Sequence, residues 1–156
     1  MLVTSVSEGN KLFWKKNKTG FYEVYFFKVA DPLGQWSFWG RYTLLAPHLK
    51  KATSKEATAS VWGIFSKKTA SGYENTALKK TYLIDDIDLL HSDRFIQIED
   101  NFLSLDSAYG SLASDTQNIA WDLQFEDPNI SQALFPNFFF YALPFPKTKL
   151  LAPRWS

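Results

Sequence analysis

The side chains able to do chemistry in this chain are few, and they sit among aromatics. Arg41 lies between Trp39 and Thr43 in the run WSFWGRYTLLA, and alternate residues of an extended chain share one face. A cation there, stacked on Trp39 or Trp62, would orient a ligand carbonyl or pair with Glu23 or Asp122; the same arginine also suits a structural ion pair closing a barrel end, or a solvated position. Asp122 and Gln124 alternate against Trp121. If their face looks into a cavity, Asp122 is a candidate general acid for protonating an alkene; if it faces water, it is a solvated carboxylate. Glu23, the second candidate acid, shares a face with Tyr25, which is either a donor to a ligand or a core tyrosine satisfied by the backbone. The candidate ligand-binding set is therefore Tyr25, Trp39, Arg41 and Trp62.

Other chemistries lack their residues. The chain has no cysteine, which removes disulfides, thiolate catalysis and Cys-based zinc or iron–sulfur sites. Its two histidines, His48 and His91, are not at metal-ligand spacing. Asp85, Asp86 and Asp88 form a local acidic cluster without the glycine and distal glutamate of a calcium loop. Neither a glycine-rich phosphate loop nor a serine in a nucleophile elbow is present. No metal or cofactor is expected, and no self-contained catalytic constellation is visible.

The candidates lie on strands. Phe21–Ala30 and Trp36–Ala46 are rich in aromatic and β-branched residues, and the connection Asp31, Pro32, Leu33, Gly34, Gln35 has the Pro and Gly of a hairpin turn. Both faces of this hairpin are substantially apolar, which fits a barrel or curved sheet around a cavity, or a sandwich strand whose second face is covered by other chain. Further strands are predicted over Ala57–Lys67, Lys79–Ile84, Arg94–Glu99, Phe102–Leu105, Ala108–Leu112 and Ile119–Glu126, the last with the cleanest alternation. Thr69–Ala77 reads as a loop, and Asp85–Asp93 as a helical turn or an edge cover. Leu12, Phe13 and Trp14 form an apolar cluster that tucks against the sheet or makes a short edge strand. Asp127–Leu134 has the cap and first-turn proline of a short helix. The rest of 127–156 is an irregular closing tail, too rich in proline for a central strand and too aromatic for a free linker.

Composition bounds the partners. A chain of 156 residues fits one domain. Aromatics make up 17% of it, more than one core needs, so an aromatic-lined pocket or interface is expected. Phe135, Phe138, Phe139, Phe140 and Trp155 in the tail are the candidate interface, for self-association or a second domain. A net charge of +1 gives no bulk attraction for nucleic acid or an anionic membrane. The N-terminal residues lack the apolar core of a secretory signal, and no apolar stretch is long enough to span a bilayer. The default expectation is a cytoplasmic protein.

The runs YEVYFFKVADP, WGRYTLLAP, VWGIF, IAWDLQF and FPKTKLLAP resemble the first half of the two-domain lipocalin-like proteins that include hydroxyneurosporene synthase and tocopherol cyclase-like proteins. Fungal lipocalin-like pericyclases are more distant relatives. The resemblance covers most of Tyr22–Pro153 and contains no catalytic motif. It implies an all-β fold, an antiparallel lipocalin-like (calycin) barrel or strongly curved sheet with one or two short helices. It also implies that 1–156 is one lipocalin-like domain, the first of two in full-length relatives. The function implied is binding of an apolar isoprenoid, polyene or lipid-like molecule in an aromatic-lined barrel. The alternatives are a structural half-domain docking a second lipocalin-like domain or subunit, and part of an isoprenoid hydratase, cyclase or isomerase.

Overall fold

Strand alternation along the first hairpin resolves into two unequal faces once its neighbours pair with it. The computed structural model describes residues 10, 12–14, 20–47, 57–86 and 93–126, together with the backbone of Ser131–Ala133 and Leu151–Pro153. Strands β1 (Phe21–Ala30), β2 (Trp36–Ala46), β3 (Thr58–Thr69) and β4 (Gly72–Leu83) form one antiparallel meander. Strands β5 (Arg94–Ile98), β6 (Asn101–Ser104), β7 (Ser107–Ala113) and β8 (Asn118–Gln124) form a second. Two short strands, β9 (Ser131–Ala133) and β10 (Leu151–Pro153), pair antiparallel with each other.

The β1–β2 turn follows from its residues. Gly34 takes φ 68°, a left-handed value that favours glycine. Its N–H donates to the Asp31 carbonyl at 2.8 Å, and the Asp31 carboxylate accepts from the Gln35 N–H at 3.0 Å. Register then follows: Tyr25 opposes Tyr42, and Arg41 opposes both Phe26 and Trp62.

The inner face of the first sheet packs on the inner face of the second. Tyr25, Phe27, Phe38, Tyr42, Leu44, Ala59 and Val61 from one meet Ile96, Ile98, Leu103, Leu112, Ile119 and Trp121 from the other in a single core. Ring contacts cross between the layers, Phe38 to Trp121 at 5.3 Å and Phe27 to Phe125 at 6.0 Å. The Tyr42 hydroxyl donates to the Phe102 carbonyl at 2.8 Å, a polar tie between layers. Within each sheet a glycine makes room for an inward ring of the neighbouring strand. A Cβ built at Gly40 would stand 2.3 Å from Phe27 Cζ, and one at Gly110 would stand 2.4 Å from Trp121. The all-β antiparallel fold is as expected, but among the described residues the sheets do not close into a barrel. They stack as a two-layer sandwich whose interior, among the described residues, is filled by side chains.

Three local expectations need correction. Residues 72–77, expected as loop, are the first half of β4, paired with Thr69 back to Ile64 of β3. Most of β4 is exposed, because it is a polar edge strand, so its sequence lacks an apolar alternation. Arg94–Glu99 does not alternate regularly: a register shift between Arg94 and Ile96 lets Phe95 and Ile96 both enter the core, the signature of a β-bulge. The helix expected over Asp127–Leu134 is replaced at Ser131–Ala133 by β9, while residues 127–130 and 134 lie outside the described set. The one helical turn described is a 3-10 turn at Ile84–Asp86, which takes the last residue of the expected Lys79–Ile84 strand and the first two of the stretch read as helical turn or edge cover.

Candidate functional site

In β2 the even-numbered residues Phe38 to Ala46 are buried, and the odd-numbered ones from Ser37 to Thr43 are half-buried. Trp39, Arg41 and Thr43 therefore point away from the core, onto the outer face of the first sheet. Register brings Trp62 of β3 beside Arg41, and Phe26 of β1 and Lys79 of β4 complete a row across four strands. The Arg41 guanidinium lies 5.8 Å from the Trp39 ring and 5.7 Å from the Trp62 ring. Lys79 Nζ caps Trp62 at 4.5 Å. Arg41 Nη2 donates to the Tyr22 hydroxyl. Stacking on Trp39 or Trp62 was expected, and the guanidinium lies near both indoles, within the distance at which a cation is attracted to a ring face.

The polar balance of this platform is incomplete. Arg41 Nε, Trp62 Nε1 and Thr43 Oγ1 are buried without a hydrogen-bond partner. Trp121 Nε1 in the core has the same status, but it faces the Tyr42 oxygen and opposes the upward push of burial on that phenol. Buried donors without acceptors each cost about 1–3 kcal/mol, so three such atoms within one patch of a sheet are a feature to be explained. Around them stand large apolar side chains that reach water: Tyr22 at 55%, Phe26 at 64%, Leu45 at 42% and Leu83 at 46% exposure.

Tyr25 does not belong to this group. It lies on the opposite face of β1, 4% exposed, and its hydroxyl donates to Glu23 Oε1 at 2.8 Å. Burial first, then the neighbouring Glu23 carboxylate, push its phenol well above the ordinary tyrosine range. Glu23 is itself buried and accepts from the Phe13 N–H at 3.1 and 3.2 Å on its two oxygens. That pair ties the Leu12–Trp14 segment to the core edge, where Leu12 and Trp14 pack and Trp14 meets Phe21 at 5.5 Å. This is an anchoring geometry for Glu23, with both oxygens engaged.

The pairing of Arg41 with Glu23 or Asp122 is not formed. Glu23 is on the inner face of the first sheet, and Asp122 is exposed on the outer face of the second, opposite Tyr109. The two candidate acids thus stand on different surfaces and converge on no common space. Among the described residues no group of three His, Asp or Glu side chains is placed to hold a metal ion, and no helix is long and apolar enough to cross a membrane. His48 and His91, Asp88, and the tail aromatics Phe135, Phe138, Phe139, Phe140 and Trp155 lie outside the described residues.

Thr43 shares the face of Arg41 as the alternation indicated, whereas reading from the sequence missed Tyr22, Phe26 and Lys79 as members of the platform. The signal for Tyr22 and Phe26 was the second apolar face of β1, which only register could align with Arg41; Lys79, in an edge strand without apolar alternation, had none. No family model matches the chain, nor does any curated protein or solved structure, so the lipocalin-like resemblance rests on its own segments alone.

Proposed function

We propose that this chain is a binding module for an apolar small molecule bearing a hydrogen-bond acceptor, held on the outer face of the first sheet. The observation that carries the reading is the cluster of Arg41 Nε, Trp62 Nε1 and Thr43 Oγ1, buried and unpartnered beside exposed Tyr22 and Phe26. A carboxylate or carbonyl oxygen placed there accepts from the arginine and the indole, while an isoprenoid-like or polyene chain lies along the aromatic platform. This keeps the ligand class implied by the resemblance and moves its seat from a barrel interior to a sheet face.

Tryptophan emission titrated with all-trans-retinoic acid tests it. Saturable quenching is expected, weakened about tenfold or more in Arg41→Met, since a hydrogen bond to a charged group contributes roughly 1.5–3 kcal/mol. Trp62→Phe, which keeps an aromatic ring and removes the N–H, should weaken binding of the acid more than that of retinol. Absence of saturable quenching, or equal affinity in all three proteins, sinks the reading.

A second reading has its own observation. Four large apolar side chains on one face, 42–64% exposed, also suit cover by another polypeptide, a second copy of this chain. Sedimentation velocity separates the two. Concentration-dependent dimerisation abolished by Phe26→Ser with Leu45→Ser supports it, and a monomer at every concentration counts against it. For a hydratase, cyclase or isomerase, the separated positions of Asp122 and Glu23 offer no support.

A further inference from the structure

The outer face of the second sheet carries a separate and smaller construction. Gln97, Phe102, Tyr109 and Asp122 form one cross-strand row. Phe102 and Tyr109 stack with centroids 5.9 Å apart at 26°. The Arg94 guanidinium covers Phe102 at 3.9 Å and donates to the Gln97 side chain. The β5 bulge creates this placement: by sending both Phe95 and Ile96 inward, it turns Arg94 toward the row. At the following turn Glu99 takes φ 53°, and its carbonyl accepts from Gln97 Nε2 at 2.8 Å, which leaves Asp100 at the rim. Arg94, Gln97, Asp100, Phe102, Tyr109 and Ser111 line an open depression of about 360 Å³, near the lower end of the range for small-molecule sites.

The chemistry of the lining selects among ligands. Tyr109 is 47% exposed and offers an aromatic surface beside planar polar groups, a carboxylate, an amide and a hydroxyl. Arg94, the only cation among the described lining residues, is engaged with Phe102 and Gln97, while Asp100 lines the depression and Asp122 stands beside Tyr109 in the row. Phosphates and carboxylates meet a negative surround and are disfavoured. An uncharged ring with an apolar C–H face and a rim of hydroxyls has what remains.

We propose that this depression binds a neutral oligosaccharide, one pyranose lying on Tyr109 with hydroxyls that donate to Asp100 and accept from Gln97 and Ser111. It is on the opposite outer surface from the first-sheet platform and does not depend on it. Isothermal titration calorimetry of the full chain with cellohexaose, maltohexaose and chitohexaose, and with AMP as an anionic stacking ring, is the test. At least one of the three sugars should bind with a millimolar or tighter Kd. Tyr109→Ala should weaken it tenfold or more, Asp100→Ala several-fold, and Trp39→Ala should leave it unchanged. Both variants alter exposed side chains, so unchanged melting temperatures establish that the fold is intact. Binding of none of the three sugars, undiminished binding by both Tyr109→Ala and Asp100→Ala, or binding of AMP in their place overturns the proposal.

Discussion

Gly40→Ala is the substitution that asks most directly whether the space between the sheets is filled. The added Cβ would stand 2.3 Å from Phe27 Cζ and 2.4 Å from Cε1, whereas carbon atoms rest at roughly 3.5–4.0 Å. The ring must therefore retreat by more than about 1 Å, judged against that separation. It has little room, being 1% exposed and flanked by Phe38 at 5.6 Å and Phe125 at 6.0 Å. Overpacking of this kind costs roughly 1–3 kcal/mol, which for a domain of this size lowers Tm by roughly 2–12 °C. Urea unfolding followed by tryptophan emission gives the free energy. Phe27→Leu, which removes the clashing ring atoms, costs about 1–2 kcal/mol alone. Because the two changes relieve each other, the double variant should be more stable than the sum of the singles predicts by about 1 kcal/mol or more. Additivity within about 0.5 kcal/mol, or a Gly40→Ala protein as stable as the parent, would refute a filled interior. The second outcome would mean that the space between the sheets has room for the methyl group, and a ligand seated there would make retinoic acid binding fall in Gly40→Ala rather than in Arg41→Met.

Further expectations follow from single contacts. Burial holds the Tyr25 and Tyr42 phenols above the ordinary value, near 10. Above that pH the unfolded chain has released these protons and the native state has not, so stability is whole below about pH 10 and falls as pH rises. Tyrosinate absorbance of these two groups should appear together with loss of near-ultraviolet circular dichroism, and early titration of all seven tyrosines in the folded state would contradict it. Tyr42→Phe removes the hydroxyl that ties the sheets through the Phe102 carbonyl and should cost about 1–2 kcal/mol in urea unfolding. Glu99→Gly relieves a left-handed backbone at φ 53° and should raise stability by about 0.5–1 kcal/mol, read as a higher urea midpoint with unchanged slope.

Much of the strand content was legible because period-2 alternation is a local property. Ile119, Trp121 and Phe125 read as a core face and are buried, and the Asp31–Gln35 connection read as a turn and is one. Residues 72–77 were illegible as strand because an edge needs only one partner and no apolar face. The β5 bulge was hidden for a different reason: one extra residue leaves composition unchanged while reversing which side chains share a face. The polar row of the second sheet was hidden with it.

The sequence by itself determined an all-β antiparallel chain, its first hairpin and the set of aromatics and cations from which a site could be drawn. Only the tertiary structure decided which of two apolar faces became the interior. Alternation divides a strand into two faces without ranking them, and the ranking came from where a second sheet could approach: over Gly63, where Leu112 and Ile119 of the second sheet stand 3.5 and 3.6 Å from the position of a Cβ. That choice buried Tyr25 with Glu23 and left Trp39, Arg41 and Trp62 outside. The four candidate ligand residues Tyr25, Trp39, Arg41 and Trp62, which share one hairpin and its neighbour in sequence, were thereby divided between a core and a surface.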